Sequence, residues 1–355
     1  MSRYLSRRFA ALAPYVPGEQ PKMQNLIKLN TNENPYPPSP KVMEAVSSDE
    51  VARLRLYSDP DATPLVAAIA KRYGLAREQV FVGNGSDEVL GLAFLAFGGE
   101  EKAFKFPALS YGFYPVFAKL FGVRFTAVPL REDFTLDPAN YMDNAANVVI
   151  ANPNAPTGLA ISLEDIRAIC RANPDNVVII DEAYADFGDF SAASLLGECE
   201  NLLIVQTMSK SRSLAGMRVG FALGSRELIA DLQRMKFSFN PYNLDRLAIL
   251  AGTAAMEDEA YFDDCVKKVV STRERTYAAL RALGMTVLPS KTNFLFARPE
   301  GMPGKAVFDA LRARGILVRR WDDPAISDWL RISIGTDEEM DVLLSALNEI
   351  LGGTP

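Results

Sequence analysis

Short apolar runs recur along the first two thirds of the chain: VFVG (80–83), RFTAVPL (124–130), NVVIA (147–151), NVVII (176–180) and NLLIV (201–205). The last two are apolar after an opening asparagine, as strands covered on both faces must be. Between these runs the pattern shifts to a helical period. TPLVAAIAKRYG offers Thr63 as a cap, Pro64 for the first turn and Gly74 as a stop. A second helix is expected from Ser86 to about Phe97. SLEDIRAICRAN opens on Ser162 with Asp165 three residues on, a capping-box spacing, and sets Ile166, Ile169 and Cys170 on one face. Strands alternating with helices predict right-handed crossovers and a mainly parallel sheet between two helical layers. Functional groups on such a sheet collect at the strands' carboxyl ends.

The flanks differ. IKLNTNENPYPPSP (27–40) is crowded with Asn, Pro and Ser and reads as a long loop. From about residue 246 a long helical stretch leads to TVLPS, TNFLFA, KAVFDALRARG, ILVRR and LRISIG, and the chain ends on a helix whose Thr336 and Glu339 again have capping-box spacing. The expectation is α/β: an arm over 1–30, a large three-layer α/β/α domain over 31–245 with a mainly parallel sheet, and a smaller α+β domain over 246–355.

Composition narrows the function. The 355 residues, 48% hydrophobic and 23% charged, are enough for more than one core. Lys and Arg number 38 against 44 Asp and Glu, with no basic tract, so partners are expected to be small molecules or a second copy rather than nucleic acid. The longest apolar run, Val89 to Phe97, falls short of the roughly 20 residues of a membrane helix. Phe9 to Ala13 is too short for a secretory segment, so nothing in the sequence is expected to export the chain. Cys170, Cys199 and Cys265 lack metal or redox spacing and read as reduced thiols of a cytoplasmic protein. There is no histidine, which excludes Ser-His-Asp triads, Cys-His pairs and His-ligated metals; no metal site is expected. A proton carrier near neutral pH must then be a tuned lysine, carboxylate, tyrosine or cysteine.

Four polar clusters follow strands. GNGSDE (83–88) leads two glycines into a helix, either as a plain tight turn or as a phosphate site; Glu88 stands where a dinucleotide fingerprint needs its third glycine. ANPNAPTG (151–158) has loop composition, and DEAYADF (181–187) puts Asp181 at a strand end, as a helix cap or as the buried partner of a cation. In LLIVQTMSKSRSLAGMRVGFA (202–222), Lys210 follows a strand, flanked by Ser209 and Ser211, with Arg218 eight residues on. It is either a solvated surface lysine or an amine held near an anion and able to act as a Schiff-base nucleophile.

Taken in order, APYVPGEQP, LNTNENPYPP, YSDP, GNGSDE, SYGFY, NPNAPTG, DEAY, SKSRSLAGMR, TNF and LRISIGT span almost the whole chain, and the sequence resembles the fold-type I aminotransferases, most closely the histidinol-phosphate aminotransferase family. The resemblance implies a pyridoxal 5'-phosphate enzyme in which Lys210 is the Schiff-base lysine, Asp181 pairs with the pyridine nitrogen, Tyr184 donates to the ring's phenolic oxygen and Tyr111 stacks on the ring. Backbone N–H groups of Ser86 and Asp87, the Ser209 hydroxyl and Arg218 would hold the cofactor phosphate, with Tyr57 reaching it from the second subunit of a homodimer. Arg331 and Arg319 would bind the substrate's anionic group, the alternative being surface ion pairing, and Tyr15 would close over the substrate. The implied reaction shuttles an amino group between glutamate and imidazole acetol phosphate. Relatives that share the cofactor residues act instead on aromatic amino acids or decarboxylate phosphorylated ones. A cofactor-sensing regulator would carry a DNA-binding module, for which the segment ahead of the loop is too short.

Two positions depart from the family pattern. Ala155 stands where an asparagine usually meets the phenolic oxygen; either Asn154, one residue earlier, takes over as a cofactor contact or Tyr184 bears that interaction alone. Ser211 and Arg212 stand where relatives have a small residue and an aromatic one.

Overall fold

The computed structural model describes residues 4–9, 12–16, 18–19 and 26–352; the rest of the arm expected over 1–30 lies outside them. The loop expected over 27–40 begins with a two-residue strand, β1 (Ile27–Lys28). Helices α1 (Pro40–Ala45), α2 (Ser48–Ala52) and α3 (Thr63–Tyr73) follow. Then come β2 (Val80–Asn84), α4 (Gly85–Phe97), β3 (Phe104–Pro107), α5 (Tyr114–Phe121), β4 (Phe125–Val128), β5 (Asn147–Ala151), α6 (Leu163–Ala172), β6 (Val178–Asp181), β7 (Leu202–Thr207) and β8 (Val219–Leu223). The remaining elements are α7 (Arg226–Phe239), α8 (Arg246–Glu257), α9 (Glu259–Ala282), β9 (Thr286–Val287), β10 (Phe294–Arg298), α10 (Gly304–Ala313), β11 (Ile316–Leu317), β12 (Leu330–Ser333) and α11 (Asp337–Ile350).

Seven strands form the large sheet in the order β2-β8-β7-β6-β5-β3-β4. All pairs are parallel except those of β8, which runs antiparallel to β2 and β7. Alternate side chains feed two cores: Val148, Ile150, Val178 and Ile180 pack with α3, α6 and α8, whereas Val149, Ile179, Leu203 and Val205 pack with α4, α5 and α7. Burying each such aliphatic side chain is worth about 1.5–3 kcal/mol, so a layer on each face is what makes an all-apolar strand stable in water. β9, β10 and β12 form a separate antiparallel sheet, and β1 pairs in parallel with β11, tying the N-terminal segment to the C-terminal layer.

The structure corrects two readings. The division at residue 245 put α8 in the small domain, yet its Ala248, Ile249 and Ala251 lie in the core of the large sheet. Gly252 lets it lie close to α3, since a Cβ there would sit 3.0 Å from the Leu65 side chain. The helix expected to be capped by Thr63 has Ala62 as its N-cap, and the Asp59 carboxylate accepts the Thr63 N–H at 2.8 Å. Gly74 ends it in the left-handed conformation (φ 65°), where glycine carries no steric penalty.

Candidate active site

The carboxyl ends of β5, β6 and β7 and the start of α4 open onto one cavity of about 370 Å³. Eleven of the expected side chains line it: Tyr15, Ser86, Asp87, Tyr111, Asp181, Tyr184, Ser209, Lys210, Arg218, Arg319 and Arg331. Register explains part of this convergence. Asp181, the last residue of β6, is level with Ala151 of β5 and Val205 of β7, so the loops that follow leave the sheet at one height.

At one end, α4 begins without a side-chain cap, which leaves its first-turn N–H groups open to an anion. Arg218, held at φ 54°, bonds the Asp87 carboxylate at 3.2 Å and reaches the Ser209 hydroxyl at 3.4 Å. Glycines make this cradle possible. A Cβ on Gly85 would lie 2.4 Å from the Arg218 guanidinium, and one on Gly220 only 2.2 Å from the Ser86 nitrogen. Asp87 does more than the sequence suggested, since its carboxylate also accepts the Tyr111 hydroxyl at 2.6 Å and so fixes the aromatic ring beside the cradle.

In the middle stand the titratable groups. Asp181 is buried; desolvation raises its pKa to about 6, against the bonds it accepts from the Tyr114 hydroxyl at 2.7 Å and the Ala183 N–H at 3.2 Å. Lys210 donates to the Thr31 carbonyl at 3.1 Å, and burial, then the charge of Arg331, lowers its pKa to about 8. Burial raises the pKa of Tyr184, and its oxygen accepts the Asn32 amide at 2.9 Å, leaving the phenolic proton free to be donated.

At the far end, Arg319 and Arg331 exchange backbone hydrogen bonds at 3.0 and 2.8 Å. Burial lowers the pKa of Arg331, whose guanidinium donates to the Asn30 carbonyl at 2.9 Å. Tyr15 lies near both arginines, stacked on Phe113 with centroids 4.3 Å apart.

Two expected residues are elsewhere. Asn154 does not line the cavity: its amide accepts from Ser110 at 2.7 Å and donates to Leu109 and Thr157, so it braces the loop, and Ala155 presents only a methyl group. Tyr57 stands 82% exposed, stacked on Tyr242 with centroids 4.6 Å apart. The structure also accounts for Ser211 and Arg212: the first bonds Asp186, and the second is buried against the Phe262 ring and donates to the Ala255 carbonyl at 2.6 Å, pinning the lysine loop to α8.

Sequence reasoning missed Tyr114, Asn32, Thr31 and Trp321. The first three reach their partners across 67, 152 and 179 residues and leave no local signal. Trp321 follows Arg319 by two positions, the spacing of one face of an extended chain, and that signal was available. The donor set fits a phosphorylated aromatic aldehyde with a ring nitrogen. An open helix terminus and an arginine suit the phosphate, a poised amine suits the aldehyde, and the Asp181 carboxylate, held by a tyrosine hydroxyl and a backbone N–H, suits a protonated ring nitrogen.

This fold and site are those of an aminotransferase, and residues 24–347 match the family of aminotransferase class I and II. More narrowly, the chain belongs to the histidinol-phosphate aminotransferase family. It is 52% identical to histidinol-phosphate aminotransferase 2 of Dechloromonas aromatica over 99% of this chain and 100% of that protein. It is also 52% identical to the histidinol-phosphate aminotransferase of Chromohalobacter salexigens over 99% of each. The crystal structure of histidinol-phosphate aminotransferase from Sinorhizobium meliloti in complex with pyridoxal-5'-phosphate superposes with a TM-score of 0.83 at 27% identity, over 92% of this chain and 91% of that one.

Proposed function

We propose that this protein is a pyridoxal-phosphate-dependent aminotransferase that moves an amino group between histidinol phosphate and 2-oxoglutarate. The observation that carries the reading is the arginine pair: Arg319 and Arg331 open on the same cavity as Lys210. A phosphate dianion offers three terminal oxygens and a double charge, which two guanidiniums can meet together. The identity to proteins named for this activity supports the same substrate.

Bound at Lys210, the cofactor supplies an electron sink for the substrate's α-carbon. The Ser86 and Asp87 N–H groups, Ser209 and Arg218 would hold its phosphate. Asp181 would keep the ring nitrogen protonated, Tyr184 would donate to the phenolic oxygen without help from Asn154, and Tyr111 would cover a ring face. The Lys210 amine, released when substrate takes its place, would carry the proton between carbons, and a pKa near 8 suits both accepting and giving it. Tyr15 would shield the substrate from water.

A homodimer fits the surface. Leu56, Tyr57, Phe239 and Tyr242 are exposed at 52, 82, 76 and 45%, apolar side chains that a second copy would cover. A second copy covering them would bring Tyr57 to the other cavity. Nothing in the described residues is a helix long and apolar enough to cross a membrane, and the cysteines are unpaired and buried, in keeping with a cytoplasmic enzyme.

The test is a steady-state panel with 2-oxoglutarate as acceptor. Histidinol phosphate is expected to exceed phenylalanine in kcat/KM by at least about a hundredfold, because an unfilled arginine site penalises the wrong substrate. Threonine phosphate should release no carbon dioxide, and Lys210→Ala should abolish turnover. Preference for phenylalanine, or decarboxylation of threonine phosphate, would replace this reading.

A further inference from the structure

We propose that Trp321 is a specificity-determining residue whose indole face holds Arg319 and Arg331 together as a single site for a phosphate dianion. The inference rests on the reading of histidinol phosphate as substrate and deepens it.

Two guanidiniums facing one cavity repel each other, and a protein that keeps them side by side must stabilise both before substrate arrives. Aromatic rings face both guanidiniums. The guanidinium carbons of Arg331 and Arg319 lie 5.3 and 5.5 Å from the centroid of Trp321, and that of Arg331 lies 5.4 Å from Phe294. These separations fall within the roughly 6 Å over which a ring face attracts a cation, and that attraction does not itself use an N–H donor.

The remaining contacts agree. Arg331 donates to the Asn30 carbonyl at 2.9 Å while its Nε is buried without a partner, and Arg319 donates to the Val16 carbonyl at 3.2 Å. The intervening Arg320 points elsewhere, donating to the Ser327 carbonyl at 2.7 Å and to Asp322 at 2.6 Å. Extended backbone thus directs residues 319 and 321 to the cavity and residue 320 away from it. Trp321 is half-buried in the cavity wall and packs on the cluster of Phe296, Ile326 and Trp329, so a replacement must keep apolar bulk there while letting the two guanidiniums separate.

A carboxylate needs one guanidinium fork, so 2-oxoglutarate should tolerate that separation; a phosphate dianion should not. The experiment compares the holoenzyme with Trp321→Leu and Trp321→Phe, measuring KM for histidinol phosphate and for 2-oxoglutarate and the Ki of inorganic phosphate as a competitor. In Trp321→Leu, KM for histidinol phosphate and Ki for phosphate are both expected to rise about tenfold, with KM for 2-oxoglutarate within about twofold. Trp321→Phe, which keeps a ring, should restore most of both. A parallel rise of both KM values, no rise in either, or failure of the phenylalanine variant to recover would overturn the proposal. A rise in the histidinol phosphate KM at unchanged phosphate Ki would also overturn it, by assigning Trp321 to the imidazole ring. A wild-type enzyme that ignores histidinol phosphate would instead refute the substrate reading, while the phosphate Ki measured against 2-oxoglutarate still tests Trp321.

Discussion

Asp181 shows how a single residue can serve function at the expense of stability. Its carboxylate is buried with two hydrogen bonds, and desolvation raises its pKa from the ordinary 3.8 to about 6. A group whose folded-state pKa is raised binds more protons folded than unfolded, so its contribution to stability is full below about pH 4 and is lost as pH rises through about 6. The neighbouring Glu182, buried and raised from 4.5 to about 7, acts in the same direction. At pH 8 the cofactor-free protein therefore keeps a buried charge that a bound ring nitrogen would neutralise. Asp181→Asn is expected to stabilise the cofactor-free protein at pH 8 by about 1–3 kcal/mol and to have little effect below about pH 4, where the carboxyl is protonated folded and unfolded alike, while destroying turnover. Thermal melts at the two pH values check this; a destabilised variant at pH 8 would mean that the Tyr114 bond outweighs the buried charge. The position of Asp181 was legible because it ends an apolar strand. Its partner Tyr114 was not, since a buried tyrosine in α5 reads like any other core aromatic.

At the scale of elements, local signals survived and pairing signals did not. Ser162 with Asp165 and Thr336 with Glu339 form the capping boxes their spacing predicts, and β5 spans the expected 147–151. The direction of β8 was hidden because a doubly covered strand is equally apolar whichever way it runs. The layer joined by α8 was hidden because a helix's own period does not name its partner. Asn154 could not be decided for a similar reason: its type suits a cavity contact, but the loop consumes its amide. That same antiparallel β8 matters for the site, because it brings Gly220 level with Gly83 and under the first turn of α4. Gly220→Ala would drive a methyl group into the Ser86 and Gly85 backbone, and relieving that overlap costs about 1–3 kcal/mol and must shift the helix terminus. The expected result is cofactor affinity weakened by at least about tenfold in a folded protein. Gly216→Ala is the control, since nothing lies within 4 Å of its added methyl group. Equal affinities in the two variants, measured by absorbance titration of the cofactor, would remove Gly220 from the cradle.

For the whole molecule, the open question in the sequence was why Tyr57 should belong to a site it does not touch. In the single chain it stacks on Tyr242, whose neighbour Asn243 accepts the Asn84 amide at 3.1 Å through its carbonyl and donates to Glu88 at 2.6 Å. The exposed aromatic patch is thus joined directly to the residues that open α4. A partner seated on the patch would press on the phosphate cradle and could complete it, which couples assembly to cofactor binding through one short segment. No pattern within one chain reveals such an arrangement, because a wall supplied by another copy leaves no local signal. Sedimentation at micromolar concentration is expected to give twice the mass of one chain. Tyr57→Phe should leave that mass unchanged and weaken the cofactor by about ten- to a hundredfold, the worth of one charge-assisted hydrogen bond. Phe239→Asp combined with Tyr242→Asp should yield monomers that lose cofactor affinity to at least the same degree. Monomers that bind the cofactor as tightly as the wild type would show that each chain builds its cradle alone and that the patch serves some other contact.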